Sequence, residues 1–284
     1  MILKNKRAIV TGGSQGLGKA IVEQFLQEGA KVSFCARNSE DIKKILAKFA
    51  NSKNLFGFTC DVSKPDLVKK FIQQTNDALG GIDILINNAG IYGPIGLIEK
   101  IDWEQWKQAM EINVYGLLHC CRAVIPQFKK QKYGKIINIS GGGATNPMPR
   151  FSAYAASKAA VVRLTETLAE ELCEFNIDVN AIAPGALKTR LIDQVLEAGA
   201  EKAGKDFFEK NKKWAETGAT SPLLGAKLCA YLASDISNGI TGKLISAQWD
   251  PWEKFHELKE ELKQTDIYTL RRIVAEDRGK KWSK

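Results

Sequence analysis

Thr11-Gly12-Gly13-Ser14-Gln15-Gly16-Leu17-Gly18 is the stretch that decides how this 284-residue chain folds. It follows a short apolar run, Ala8–Val10, and it precedes Lys19–Gln27, where apolar residues recur at helical spacing. Glycines here permit a tight turn and let the backbone come close to a pyrophosphate. The helix behind them offers unpaired N–H groups and a favourable dipole to the phosphates. Glycine-rich stretches also serve as ordinary turns. The place of this one, between a first strand and a first helix, is what gives it meaning.

Working outward, the same alternation continues. Strands are predicted at Ala8–Val10, Lys31–Cys35, Phe56–Cys60, Ile84–Ile86, Lys135–Ile139, Asp178–Ile182 and Lys243–Ser246, with amphipathic segments such as Lys19–Gln27 and Ala153–Phe175 between them. Strands separated by helices imply βαβ units. The fold class is therefore α/β, a Rossmann-type doubly wound seven-stranded parallel sheet with helices on both faces. One catalytic domain spans 1–248. Within it, 187–225 carries many Lys, Glu, Ala and Gly and no strong strand, and it reads as a helical lid inserted over one end of the sheet. Residues 249–284 form a C-terminal extension with Trp249, Trp252 and Trp282. Its Pro251–Lys263 part has helical spacing, with Phe255, Leu258 and Leu262 on one side. Apolar groups in that number predict packing on the domain or on a neighbouring subunit rather than direct substrate contact.

Composition narrows the classes. Hydrophobic residues make up 44% and charged residues 26%, as in ordinary globular chains. The net charge of +9 comes from Lys and Arg interspersed with acids. This pattern points to a solvated surface biased toward anionic small ligands, and away from nucleic acid. The six cysteines form no C-x-x-C and stand at no metal spacing with His119 or His256, so no metal is expected. The start, MILKNKRAIV, reads as a strand rather than a signal segment, and no apolar run reaches 18 residues. A cytoplasmic chain without a membrane partner is the expectation.

Two further places carry chemistry. The second strand ends in Cys35-Ala36-Arg37-Asn38, with an arginine where an acid would bind both ribose hydroxyls. Arginine pairs with a 2′-phosphate through charge-assisted hydrogen bonds, which favours NADP(H) over NAD(H). A solvated Arg37 stacked on adenine is compatible with either. In Tyr154-Ala155-Ala156-Ser157-Lys158 the tyrosine and lysine share one helix face. A lysine ammonium beside a phenol stabilises the phenolate, so it is expected to lower the Tyr154 pKa. Ser140 ends the fifth strand and opens Gly141-Gly142-Gly143, where its hydroxyl can hold a substrate oxygen.

With these motifs in this order, the sequence resembles the short-chain dehydrogenase/reductase family across residues 5–247. The glycine loop supplies Gly12, Ser14, Gln15, Gly16, Leu17 and Gly18 as cofactor contacts, beside Arg37. Asp61-Val62 matches the pair that touches adenine, and Asn88-Ala89-Gly90 the cofactor-lining turn after strand four. Pro184, Gly185, Leu187 and Thr189 match the segment that closes over the nicotinamide end. The resemblance assigns Asn113, Ser140, Tyr154 and Lys158 to catalysis. Tyr154 would pass the proton, Ser140 hold the oxygen, Lys158 bind the nicotinamide ribose and Asn113 hold a proton-relaying water. A homo-oligomer, tetramer or dimer, is also implied.

The departures are specific. The loop Asn146–Phe151 should border the substrate, with Arg150 either meeting an anionic group or facing solvent. Gln15 stands where many NADP-using relatives carry arginine. The last strand runs into Gln248-Trp249-Asp250-Pro251-Trp252 instead of Val-Asp-Gly-Gly. The expected activity is reversible hydride transfer between nicotinamide and a carbonyl or secondary alcohol, 3-oxoacyl-carrier-protein reductase-like. The alternatives are an NAD(H)-dependent enzyme of a sugar or nucleotide-sugar, and a catalytically silent dinucleotide-binding interaction protein.

Overall fold

Seven parallel strands lie in the order β3-β2-β1-β4-β5-β6-β7: β1 (Arg7–Thr11), β2 (Lys31–Ala36), β3 (Leu55–Thr59), β4 (Ile84–Asn87), β5 (Gly134–Ile139), β6 (Ile177–Ala183) and β7 (Leu244–Ser246). The computed structural model describes residues 1–187, 190–218 and 220–282. Each strand falls within one residue of its expected ends. β4 and β5 are buried at every position, which is why their apolar residues, Ile84–Ile86 and Ile136, Ile137 and Ile139, do not alternate with exposed polar ones.

Helices α1 (Gly16–Gln27), α2 (Ser39–Lys48), α3 (Pro65–Leu79), α4 (Trp103–Met110), α5 (Gly116–Gln131) and α6 (Ser152–Leu172) cross between strands. Local chemistry fixes their ends. Asn38 caps α2 by accepting from the Glu40 and Asp41 N–H groups at 2.8 and 3.4 Å. Pro65 opens α3, and Gly80, left-handed at φ 75°, closes it. A π-helical turn, Glu111–Tyr115, joins α4 to α5 and carries Asn113. Among the described residues no helix is long and apolar enough to cross a membrane.

The strand order reverses between β1 and β4. The loops after these two strands splay apart and open a crevice at the carboxyl edge of the sheet. The lid rises on the far side of that crevice as α7 (Arg190–Ala203) and α8 (Lys205–Thr217), followed by α9 (Pro222–Ala233). Its base is pinned where the Thr220 N–H donates to Ala186 O at 2.8 Å.

The tail departs from the one-sided helix expected over Pro251–Lys263. It forms a 3-10 turn, Trp252–Lys254, and a short α10 (Lys259–Gln264). Phe255 and Leu262 are buried, but Leu258 falls at the N-cap of α10 and is exposed, because the two turns share no continuous face. Trp252 is buried against Tyr231 at 5.7 Å between ring centres and donates from Nε1 to Ala247 O. Trp249 and Trp282 are exposed. Further on, Tyr268 O accepts from the Leu244 N–H, so the tail covers the outer edge of β7.

Candidate active site

A cleft of about 1820 Å³ runs along the carboxyl edge of the sheet, from Arg37 and Asp61 on the β2–β3 side to Gln248 and Asp250 beyond β7. The described residues expected to touch cofactor or substrate all line it. Asn113 lies behind its wall. Thr189 lies outside the described residues.

The cofactor-loop end is shaped by backbone contact. A Cβ on Gly18 would sit 2.2 Å from Gly12 O, so only glycine lets α1 start this close to the turn. Thr11, which the motif reading passed over, is the staple of this corner. Its Oγ1 accepts from the Asn88 and Ala89 N–H groups at 3.0 and 3.1 Å. Asn88 Nδ2 returns a bond to Thr11 O at 2.9 Å and one to Gly12 O at 3.1 Å. The turns after β1 and β4 are thus locked together before any ligand arrives.

At the adenosine end, Arg37 is exposed and its guanidinium makes no hydrogen bond or ion pair among the described residues. Gln15 lines the cleft beside Asp41. Its Nε2 donates to Asp41 Oδ2 at 2.6 Å, so the amide is held by an acid that also lines the cleft. Asp61 accepts from the Ser63 N–H and Oγ–H, which shapes the turn after β3.

The residues expected to carry the chemistry meet where β5 ends. Ser140 is buried, and its Oγ has no hydrogen-bond partner. A polar atom buried in that way is costly unless something arrives to pair with it. Tyr154 comes from α6, and its hydroxyl lies so close to Gly141 that a Cβ there would sit 2.2 Å from Oη. Lys158, one turn on, donates from Nζ to Ile139 O at 2.7 Å, and Nζ lies 5.6 Å from the Tyr154 ring centre. Asn113 accepts from the Ile91 N–H and donates to Ile91 O and Ser157 Oγ, each at 2.9 Å. Its amide therefore holds the Gly90–Ile91 turn. A cavity of about 10 Å³ beside Asn113 and Lys158 has room for one water.

The expected lowering of the Tyr154 pKa is corrected by the structure. Burial holds the phenol well above its ordinary value, and nearby Tyr92 adds to the shift. Lys158 is the group pulled down, to about 8, by burial of its ammonium. Desolvation outweighs the lysine's attraction because the ammonium is turned onto the Ile139 carbonyl. The resting phenol is a protonated acid.

The substrate side is built by side chains that local motifs do not announce. Tyr92 meets Tyr154 edge-on at 4.7 Å, then Phe151 at 5.2 Å, and Phe151 meets Phe207 of the lid at 4.8 Å. Arg150 lines the cleft, and one of its guanidinium nitrogens is engaged by α7. Its Nη1 donates to Glu201 O at 2.8 Å and Lys202 O at 3.3 Å, at the carboxyl end of α7, where carbonyls lack helical partners. Gln194, Trp249 and Asp250 also line the cleft.

Residues 6–199 match the short chain dehydrogenase family. The chain is 34% identical over 251 residues to the 3-oxoacyl-(acyl-carrier-protein) reductase FabG of Staphylococcus epidermidis, covering 85% of this chain and 96% of that one. Its fold is similar to the crystal structure of levodione reductase, with TM-score 0.79, 27% identity, and 86% and 96% of the two chains covered. It is equally similar to NAD+-bound xylitol dehydrogenase, with TM-score 0.79, 28% identity, and 87% and 98% covered.

Proposed function

The chain belongs to the short-chain dehydrogenase/reductase family and is an NAD(P)-dependent oxidoreductase; we propose that it reduces a carbonyl, or oxidises the matching secondary alcohol, with NADP(H) as the favoured coenzyme and Tyr154 as the proton donor or acceptor. The observation that carries this reading is the buried, unpartnered Oγ of Ser140, beside a tyrosine hydroxyl seated on Gly141. A substrate oxygen placed there gives Ser140 its missing partner and brings a proton donor within reach.

The residues present fit a dinucleotide. The stapled glycine turn and the N-terminus of α1 would hold the pyrophosphate, Asp61 and Val62 the adenine, and Lys158 the nicotinamide ribose. When bound, the nicotinamide supplies or takes up the hydride. The chain's own part is acid–base work and orientation. A protonated Tyr154 gives its proton to the nascent alkoxide during reduction. Lys158, as an ammonium, stabilises the phenolate left behind. Asn113 fixes the Gly90–Ile91 turn, and a water in the small cavity beside it would return a proton to Tyr154 through Lys158.

Arg37 at the adenosine end supports NADP(H), and a 3-oxoacyl-thioester-like substrate follows the likeness to the staphylococcal reductase. A second reading, an NAD(H) enzyme of a sugar, draws on Asp41 in the same wall and on the NAD+-bound xylitol dehydrogenase neighbour. A cytoplasmic homo-oligomer belongs to the same proposal; exposed Trp103, Ile98 and Tyr115 around α4 suit a self-contact. The test is a coenzyme-oxidation screen over keto-acyl thioesters, quinones, steroids and keto-sugars, with Ser140→Ala beside wild type. The expected result is turnover in at least one class, with a loss of at least a hundredfold in the variant. Coenzyme binding without turnover of any class would favour the silent dinucleotide-binding alternative.

A further inference from the structure

Two polar side chains on the substrate side of the cleft, Gln194 and Asp250, carry acceptors that lack a donor or a counter-ion. Gln194 lies on α7 beside Val195, which packs in one apolar cluster with Phe151 and Tyr154. Its Oε1 is shielded from water and has no hydrogen-bond partner. Asp250 follows β7, half-buried, with Oδ2 accepting from the Ser246 N–H at 2.6 Å. No cationic side chain pairs with it among the described residues. Burial raises the Asp250 carboxyl above its ordinary range, against the Ser246 N–H, and the Asp250 charge helps to raise the Tyr268 phenol.

Topology places Asp250 on the substrate side. The adenosine end lies over β2 and β3, and Asp250 lies at the opposite edge of the sheet. The Ser140 N–H donates to Ile182 O, and Ala183 pairs with Ser246, so Ser246 stands two strands from Ser140, about 10 Å away. By contrast, Arg190, Lys205 and Lys210 line the same cleft but are exposed to solvent. Arg150 is engaged by the carbonyls of α7. Exposed cations select weakly, whereas a buried acceptor without a donor discriminates against ligands that cannot supply one.

We propose that Gln194 and Asp250 are specificity-determining residues, which select a neutral carbonyl substrate bearing a hydroxyl or other hydrogen-bond donor several bonds from the reacting carbon, and which reject a carboxylate at that position. This rests on the oxidoreductase reading above. It places the substrate among hydroxylated ketones and their polyol products rather than among keto-acids.

Three ketones test it: cyclohexanone, 4-hydroxycyclohexanone and 4-oxocyclohexanecarboxylate. Each is titrated calorimetrically into coenzyme-loaded protein and assayed for coenzyme oxidation. Wild type is expected to bind the hydroxy ketone about tenfold more tightly than cyclohexanone, and the carboxylate least. Gln194→Met, which keeps the shape and loses the acceptor, should cut the hydroxyl advantage below threefold. Asp250→Asn should raise affinity for the carboxylate about tenfold by removing a like charge. Thermal melting of both variants within a few degrees of wild type shows that the fold is kept; if either melts lower, Gln194→Leu and Asp250→Ser replace them in the same titrations. Wild type that binds the carboxylate as tightly as the hydroxy ketone overturns the proposal, as do variants that leave both ratios unchanged. The expected binding order without coenzyme oxidation would instead sink the oxidoreductase reading and leave the selection standing.

Discussion

The two ends of the cleft are built from different materials. The cofactor end is backbone: strand termini, glycines and the Thr11–Asn88 staple, with side chains used chiefly to hold main chain in place. The substrate end is side chains: Tyr92, Phe151 and Phe207 in a row, Arg150 tied to α7, and Gln194 and Asp250 along the walls. A backbone-built site can take only the ligand whose phosphates fit its amides. A side-chain-built site changes its ligand with one substitution. On the proposed function, the hydride chemistry therefore belongs to the fold, and the choice of substrate to the lid and the tail.

The sharpest break in that contrast lies at the reacting centre, where the two ends meet. Tyr154→Phe should lower kcat by roughly 10³-fold, about 4 kcal/mol, while coenzyme affinity stays within twofold. Steady-state kinetics with coenzyme fluorescence titration separates the two. Wild-type turnover by this variant would mean that the proton comes from elsewhere.

Next in size is the tail, which should report in stability rather than chemistry. Trp252 is buried on Tyr231 and hydrogen-bonded to Ala247 O. Trp252→Ala should cost about 3–4 kcal/mol and lower Tm by about 10 °C. Truncation before Trp249 should go further, since it also uncovers the edge of β7. An unchanged melting curve in differential scanning calorimetry would show that the tail is an appendage.

Two substitutions beside Tyr154 pull in opposite directions. Gly141→Ala puts a methyl group where the Tyr154 hydroxyl lies, and should cost about 100-fold in kcat, near 2.7 kcal/mol, with coenzyme binding kept. Lys158→Met should abolish turnover yet stabilise the fold. Burial lowers the lysine from 10.5 to about 8, a penalty of about 3 kcal/mol at neutral pH. Leaving Ile139 O without its donor returns about 1 kcal/mol of that gain, so the net is about 2 kcal/mol. The unfolded chain binds the extra proton between pH 8 and 10.5, so wild-type stability rises through that window and the variant's advantage should vanish above it. Denaturant melts at pH 7 and pH 10.5 check the sign. A destabilised variant at pH 7 would show that the carbonyl outweighs the charge.

How far the sequence could be read follows the same division. β4 and β5 were legible because burial on both faces fills Ile84–Ile86 and Lys135–Ile139 chiefly with isoleucine and leucine. Tyr154 and Lys158 were legible because one helix turn brings them together. The direction of the Tyr154 pKa was not, since it depends on Tyr92, 62 positions away in the chain, and on burial that no local window contains. The attachment of Arg150 to α7 was not legible either, since the bonds to Glu201 and Lys202 cross about fifty residues. The tail helix was drawn too long because Phe255 and Leu262 are both buried, though by separate turns. Gln194 carries no signal in its neighbours at all. Only the fold shows that its acceptor is shielded from water and unpartnered, one residue before Val195 of Tyr154's cluster.

The smallest expected effect decides the coenzyme, and it sits at the end of the cleft where the backbone rule is weakest. Arg37 and Asp41 stand in the same wall with opposite charges. Asp41 is partly occupied, accepting from Gln15 Nε2 at 2.6 Å and lying 3.6 Å from Lys44 Nζ, while Arg37 has no partner among the described residues. The balance therefore leans to a 2′-phosphate, but only modestly, because an exposed cation on a phosphate is screened by water and salt. Arg37→Ala should weaken NADPH about tenfold, near 1.4 kcal/mol, and leave NADH within twofold. Asp41→Asn should move NADPH the other way by about threefold, since it removes a like charge and keeps an acceptor for Gln15. Fluorescence titration of both coenzymes at low and at 0.5 M salt reads all four numbers. The NADPH advantage should shrink at the higher salt. Equal wild-type affinities, unmoved by either substitution, would mean that the adenosine end selects by backbone alone, and the contrast between the two ends would then be complete.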